Sequence, residues 1–109
     1  MTVTMPQPGV VVVTATGEID LSTQGTWSAC LVDALDPPPP AVLVADLSEV
    51  AFFSCAGVTT LMRVEAKAER AHADFRVVGG HRPVRRPLEI VGLTEHLHLF
   101  DTRAAALAA

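Results

Sequence analysis

The stretch Val42-Leu43-Val44-Ala45-Asp46-Leu47-Ser48-Glu49-Val50-Ala51-Phe52-Phe53-Ser54-Cys55-Ala56-Gly57-Val58 sets the frame for the whole chain. Residues 41–47 are almost wholly apolar, which suits a central strand covered on both faces. A short crossing over residues 48–53 is expected next, with Asp46 as its turn former or cap. Ser54 is placed to cap a long helix. In that helix Gly57, Leu61, Val64, Ala68 and Ala71 fall at i, i+4, i+7, i+11 and i+14, one apolar stripe. The pattern leaves Arg63, Glu65, Lys67, Glu69 and Arg70 mostly to solvent. Gly57 reads as a point where backbone packs closely.

Upstream, residues 10–16 are a β-branched run and read as a strand. It is expected to pair with residues 2–5 across a turn holding Pro6, Pro8 and Gly9. Gly17-Glu18-Ile19-Asp20-Leu21 leads out of that strand, and Ser22 or Thr23 can cap the helix that follows. Trp27, Leu31, Ala34 and Leu35 make that helix's apolar stripe. It must end before Pro37-Pro38-Pro39-Pro40, because a residue preceding proline is pushed out of helical geometry. The four prolines read as a stiff extended connector.

Downstream, Phe75-Arg76-Val77-Val78 is the next strand, closed by Gly79-Gly80. A further helix carries Val84, Leu88 and Val91, with Gly92 at its C-terminal cap and Leu93 following. Pro83 suits the entry, whereas Pro87 would clash inside a helix. The helix is therefore expected to start near Val84 or to be distorted at Pro87. Leu97-His98-Leu99-Phe100 reads as a last strand, and Asp101 or Thr102 as the cap of an Ala-rich terminal helix. Strands alternating with helices imply an α/β fold: a mixed, mostly parallel sheet of four to five strands with about four helices packed on it.

With 109 residues, half of them apolar, the chain is expected to form one domain with one core. No apolar run approaches the ~20 residues of a membrane span, so membrane insertion is not expected. Met1-Thr2-Val3-Thr4-Met5-Pro6 shows no secretory signal, and the expected location is cytoplasmic. A formal net charge of −4 argues against direct nucleic-acid contact. Cys30 and Cys55 form no metal or redox motif and are expected to be reduced thiols. His96 and His98 share a face but have no further ligands in view, so no metal is expected. No catalytic nucleophile motif and no phosphate-cradling glycine loop is present, so neither an enzyme nor a cofactor is expected.

Three segments carry a family resemblance. Gly17-Glu18-Ile19-Asp20-Leu21-Ser22-Thr23 is similar to the early motif of the STAS domain, the fold of bacterial anti-sigma-factor antagonists. Asp46-Leu47-Ser48-x-Val50-x-Phe52 with Gly57-Val58-x-x-Leu61 resembles the family's central strand, turn and helix start. Val84-Arg85-Arg86-x-Leu88-Glu89-Ile90-Val91-Gly92-Leu93, then Leu97-x-Leu99-Phe100, resembles its last helix and strand. The likeness runs from about Val10 to about Leu107, the core of a single STAS domain expected over 1–109.

The resemblance implies a switch by partner exchange. In the family, the unphosphorylated domain binds an anti-sigma factor, often a serine kinase, and frees the sigma factor. Phosphorylation of a serine at the start of the long helix breaks the complex. The usual sequence there is Asp-Ser-Ser/Thr/Ala-Gly, and this chain reads Ser54-Cys55-Ala56-Gly57. The acceptor position thus falls on Cys55. A cysteine is not a normal substrate of a serine kinase, which implies constitutive binding or another form of regulation. Ser54 is the alternative acceptor, but one residue of shift turns a side chain by about 100° at ~3.6 residues per turn.

The expected partner-binding face comprises Asp20, Ser54, Cys55, Ala56, Gly57 and Thr59, with the chain a monomer or weak dimer. Asp20 reads equally as a plain turn acid. Arg82, Arg85 and Arg86, with His81 beside them, read as a solvated face or as steering for an acidic partner. Two other readings stay open. STAS-like domains also serve as accessory subunits of membrane lipid-transport complexes. A thiol at a helix N-terminus also suits redox sensing, since a sulfinate at Cys55 would supply negative charge where phosphate would sit.

Overall fold

Period-two alternation in the central strands sorts side chains onto two unequal faces. The computed structural model describes residues 1–109. Strand β1 (Thr2–Gln7) runs antiparallel to β2 (Val10–Ile19), and β3 (Val42–Phe53), β4 (Asp74–Val78) and β5 (His98–Phe100) follow in parallel. The sheet order is β1-β2-β3-β4-β5. Helices α1 (Gln24–Ala34), α2 (Cys55–Arg70) and α3 (Arg82–Ile90) are the crossovers, and α4 (Arg103–Ala108) closes the chain. Crossovers of one hand between successive neighbours put α1, α2 and α3 on the same side. There Val13, Leu43, Ala45, Phe75 and Val77 pack with Trp27, Leu31, Leu61, Val64, Val84 and Leu88 in the main core. The opposite face buries Val12, Val44 and Val78 under Ala106 of α4. The central strand is covered on both sides, as its composition implies.

Strand β3 is longer than its apolar run. It continues through residues 48–53, where a crossing was expected, because β2 also continues and the two pair past the end of β4. Two register shifts accommodate this, one between Thr14 and Thr16 and one at Gly17, whose φ is +81°. Asp46 therefore lies inside the strand, at the first irregularity, and not at its end. Its buried Oδ1 accepts hydrogen bonds from the Ser48 amide at 3.0 Å and hydroxyl at 2.7 Å, and Oδ2 faces Arg103 at 3.7 Å. The result is a two-stranded ribbon that carries Phe53 and Ser54 beyond the sheet.

Helix ends account for the other departures. Neither Ser22 nor Thr23 caps α1. Both hydroxyls are spent on the turn around Asp20, although Thr23 occupies the cap position. Helix α3 starts at Arg82, ahead of Val84, with Pro83 in its first turn and Pro87 inside. Pro87 only removes the bond that Pro83's carbonyl would have accepted, and nine residues tolerate that loss. Its end is as expected: the Gly92 amide reaches the Glu89 carbonyl at 3.1 Å and Leu93 reaches Leu88 at 2.9 Å, with Gly92 at φ +75°. Val91, expected on the buried stripe, is 53 % exposed. Thr102 caps α4 by accepting from the Ala105 amide at 3.1 Å. The proline run bends at residues 36–38 and does not extend. No helix is long and apolar enough to cross a membrane.

One carboxyl sits badly in this fold. Glu65 on α2 has a buried Oε2 with no hydrogen-bond partner. Burial, the largest cause, pushes its pKa up; His98 opposes this, and Glu69 and Asp74 add to it. The folded chain thus holds that proton more tightly than the unfolded chain does. Stability contributed at this site falls as pH rises from the unfolded pKa through the folded one. Glu65→Gln is expected to raise the melting temperature at about pH 7 and to lose that advantage below pH ~4.5, near an ordinary glutamate's titration. Thermal melts across that range check this; an offset independent of pH would count against it.

Candidate functional site: the ribbon end, the start of α2 and an apolar groove

The ribbon's end builds the turn. The Ser54 amide donates to the Ile19 carbonyl at 2.9 Å, which locks the β3 end to the β2 end. Ser54 has extended backbone at the α2 cap position, and its carbonyl accepts from Val58 at 3.2 Å. Its hydroxyl, expected to cap α2, is buried with no partner. Cys55 is the first residue of α2 and is exposed. Ala56 is half-buried, while Gly57 is buried. A Cβ on Gly57 would lie 2.6 Å from the Phe53 ring and 3.1 Å from Ile19, so only glycine lets α2 sit down on the ribbon. Thr59 is exposed and donates to the Cys55 carbonyl at 3.1 Å. Phe53 in turn packs edge-on against Trp27 of α1, with ring centroids 5.7 Å apart at 83°.

Asp20 follows Ile19 directly, so it leaves the same end of the ribbon. Its Oδ1 accepts from the Ser22 amide at 3.0 Å, the Ser22 hydroxyl at 2.8 Å and the Thr23 amide at 3.1 Å. The Ser22 hydroxyl is the main cause of a lowered Asp20 pKa; the slight burial opposes it, and the Thr23 groups support it. Its order at this turn is therefore kept above the usual aspartate range and lost as pH falls through the lowered value. No hydrogen bond joins Asp20 to residues 54–59. The expected face is thus two adjoining pieces, the Asp20 turn and the α2 start.

An apolar groove of about 670 Å³ adjoins the α2 start and was not anticipated. Cys55, Val58, Thr59 and Met62 form one wall, Pro87, Ile90 and Val91 the other, and Phe52 one end. Phe52 is 50 %, Met62 52 % and Ile90 71 % exposed. The available signal was Ile90-Val91, an apolar pair too close together for both to join the stripe of Val84 and Leu88.

His81 and His98 are each engaged by a residue of a strand elsewhere in the chain. His81 meets the Val50 carbonyl at 2.7 Å, and His98 meets Asp74 at 3.0 Å. No group of three or more His, Cys, Asp or Glu side chains is placed to hold a metal ion.

A sequential sheet with one antiparallel edge, and a ribbon delivering a small-residue turn to the N-terminus of a long helix, defines a class. The chain belongs to the STAS domain family, whose sequence pattern matches residues 3–106. It is 34 % identical over 99 residues to the anti-sigma-F factor antagonist RsfB of Mycobacterium tuberculosis, covering 91 % of this chain and 80 % of that one. It is 30 % identical over 100 residues to RsfA of the same organism, also an anti-sigma-F factor antagonist, covering 91 % and 78 %. An anti-sigma factor antagonist crystal structure from Mycobacterium paratuberculosis superposes with a TM-score of 0.86 at 31 % identity, covering 98 % of this chain and 91 % of that one.

Proposed function

We propose that this chain is an anti-sigma factor antagonist of the cytoplasm, whose partner is an anti-sigma factor of the serine-kinase type. It binds through the α2 start and the Asp20 turn, releases the sigma factor by competition, and touches no DNA. The observation that carries this reading is the exposed first residue of α2, set on a rigid turn and open to an apolar groove. The similarity to two anti-sigma-F factor antagonists supports it.

Cys55 makes the complex insensitive to the kinase. A phosphoserine there would bring about −1.5 to −2 charges into a desolvated contact and break it. The thiol accepts no such phosphate in a serine kinase's reaction, and the neighbouring Ser54 hydroxyl is buried. Intact mass after incubation with ATP and the cognate kinase tests this. The wild type is expected to stay unmodified and Cys55→Ser to gain one phosphate. Stoichiometric phosphate on the wild type would overturn kinase insensitivity, and failure to release sigma factor from its complex would overturn the antagonist role.

A further inference from the structure

The charge around the groove differs from one side to the other. The chain carries 12 acidic residues against 8 Lys and Arg, yet no acid lines the groove. A second hollow continues it past Phe52, Phe53 and Pro87, and the only charged residues lining that hollow are Arg82 and Arg86. These two stand one turn apart on α3, both exposed and in no ion pair. Arg85 between them is different: Glu89 and Asp101 hold it, each at 3.6 Å. The α2 N-terminus opens into the same groove at Ser54 and Cys55, adding the positive end of a 16-residue helix. The apolar trough thus has a positive border on the side of Arg82 and Arg86, while the hollow past Met62 and Leu93 carries Glu65 and His96, on a chain that is negative overall.

We propose that this groove docks an amphipathic acidic helix of a partner protein, its apolar stripe lying between α2 and α3 and its carboxylates on Arg82 and Arg86. The proposal deepens the antagonist reading and rests on it, in that the helix would belong to the anti-sigma factor. A helix fits better than a small amphiphile. Small ligands need about 70–90 % of their surface buried. A trough whose walls include Ile90 at 71 % and Val91 at 53 % exposure encloses only one side of its occupant. A helix needs cover on one stripe alone.

The test uses the full chain and two synthetic helical peptides with the same leucine stripe, one flanked by glutamates and the other by lysines. Methyl-labelled protein reports where each binds. The glutamate peptide is expected to shift the Ile90 and Met62 methyls and to bind at least about tenfold tighter than the lysine peptide, a gap that narrows as salt screens the charges. In the Arg82→Glu/Arg86→Glu variant the preference is expected to reverse, whereas Arg70→Glu, at the far end of α2, is expected to leave it intact. No binding of the glutamate peptide, equal affinities, or shifts away from the groove would overturn the proposal. So would shifts from laurate with none from the peptide, which would make this a site for a small amphiphile. The anti-sigma factor separates the two levels. If it binds the wild type and the double arginine variant equally, the groove proposal fails and the antagonist role stands. If the glutamate peptide binds in the groove while no anti-sigma factor binds the chain, the antagonist role fails and the groove stands.

Discussion

Cys55→Asp is expected to weaken binding to the anti-sigma factor by at least about 30-fold while leaving the fold as stable as before. The two effects have different physical sources. Cys55 is exposed at the first position of α2, where a carboxylate meets the positive end of the helix dipole. That interaction stabilises by about 0.3–1 kcal/mol at an exposed site. In the complex the same carboxylate must lose water against an apolar wall that includes Val58 and Met62. Desolvating an unpaired charge at an interface costs about 2–5 kcal/mol, and 2 kcal/mol is about 30-fold. It also cancels part of the positive border made by Arg82 and Arg86. Titration calorimetry beside thermal melts reads both quantities. Unchanged affinity would remove the α2 start from the binding face, and a large fall in melting temperature would make any lost binding uninformative.

Trp27→Ala is the largest stability change expected, about 2–4 kcal/mol. Truncating a fully buried tryptophan costs about 3–5 kcal/mol in lost transfer energy and residual cavity, and Trp27 is 0 % exposed. Its indole Nε1, however, is buried without a hydrogen-bond partner. Removing that orphan returns part of a penalty of about 1–3 kcal/mol, which brings the expected net loss below the usual range. Trp27→Phe removes the same orphan and keeps a ring against Phe53, so it is expected to lose less than the alanine variant. Urea denaturation measures both; a Trp27→Ala loss under about 1 kcal/mol would mean that the core closes over the gap. The change also bears on the turn proposed for binding. Phe53, whose ring packs at 83° to that of Trp27, is the surface on which the Gly57 backbone rests.

Much of this was legible because it is local. A β-branched run, an i, i+4, i+7 stripe and a proline block report strands, helices and a boundary without reference to the rest of the chain. Gly92 and Leu93 announced the end of α3 because the cap needs φ > 0 and then an apolar residue. Ser54 misled for the opposite reason. Its type suits a cap, but its hydroxyl direction depends on how the ribbon enters α2, and it points into the interior unpaired. Ser22 and Thr23 misled likewise, since Asp20 competes for their hydroxyls.

The order of elements, the mostly parallel class of the sheet and the small-residue turn at the α2 start follow from residues 42–58 and their neighbours in the chain, because periodicity and motif register are properties of short segments. The length of β3 does not, because its second half is a strand only by virtue of pairing with β2. Nor does the groove. Phe52, Met62, Ile90 and Val91 are apolar residues of the kind that usually go inside. Ile90, the last residue of α3, and Val91, its cap, lie off the core face that Val84 and Leu88 occupy, and Phe52 on β3 and Met62 on α2 line the same groove uncovered. Which apolar side chains find cover is a question of packing between distant segments, and only the folded chain answers it.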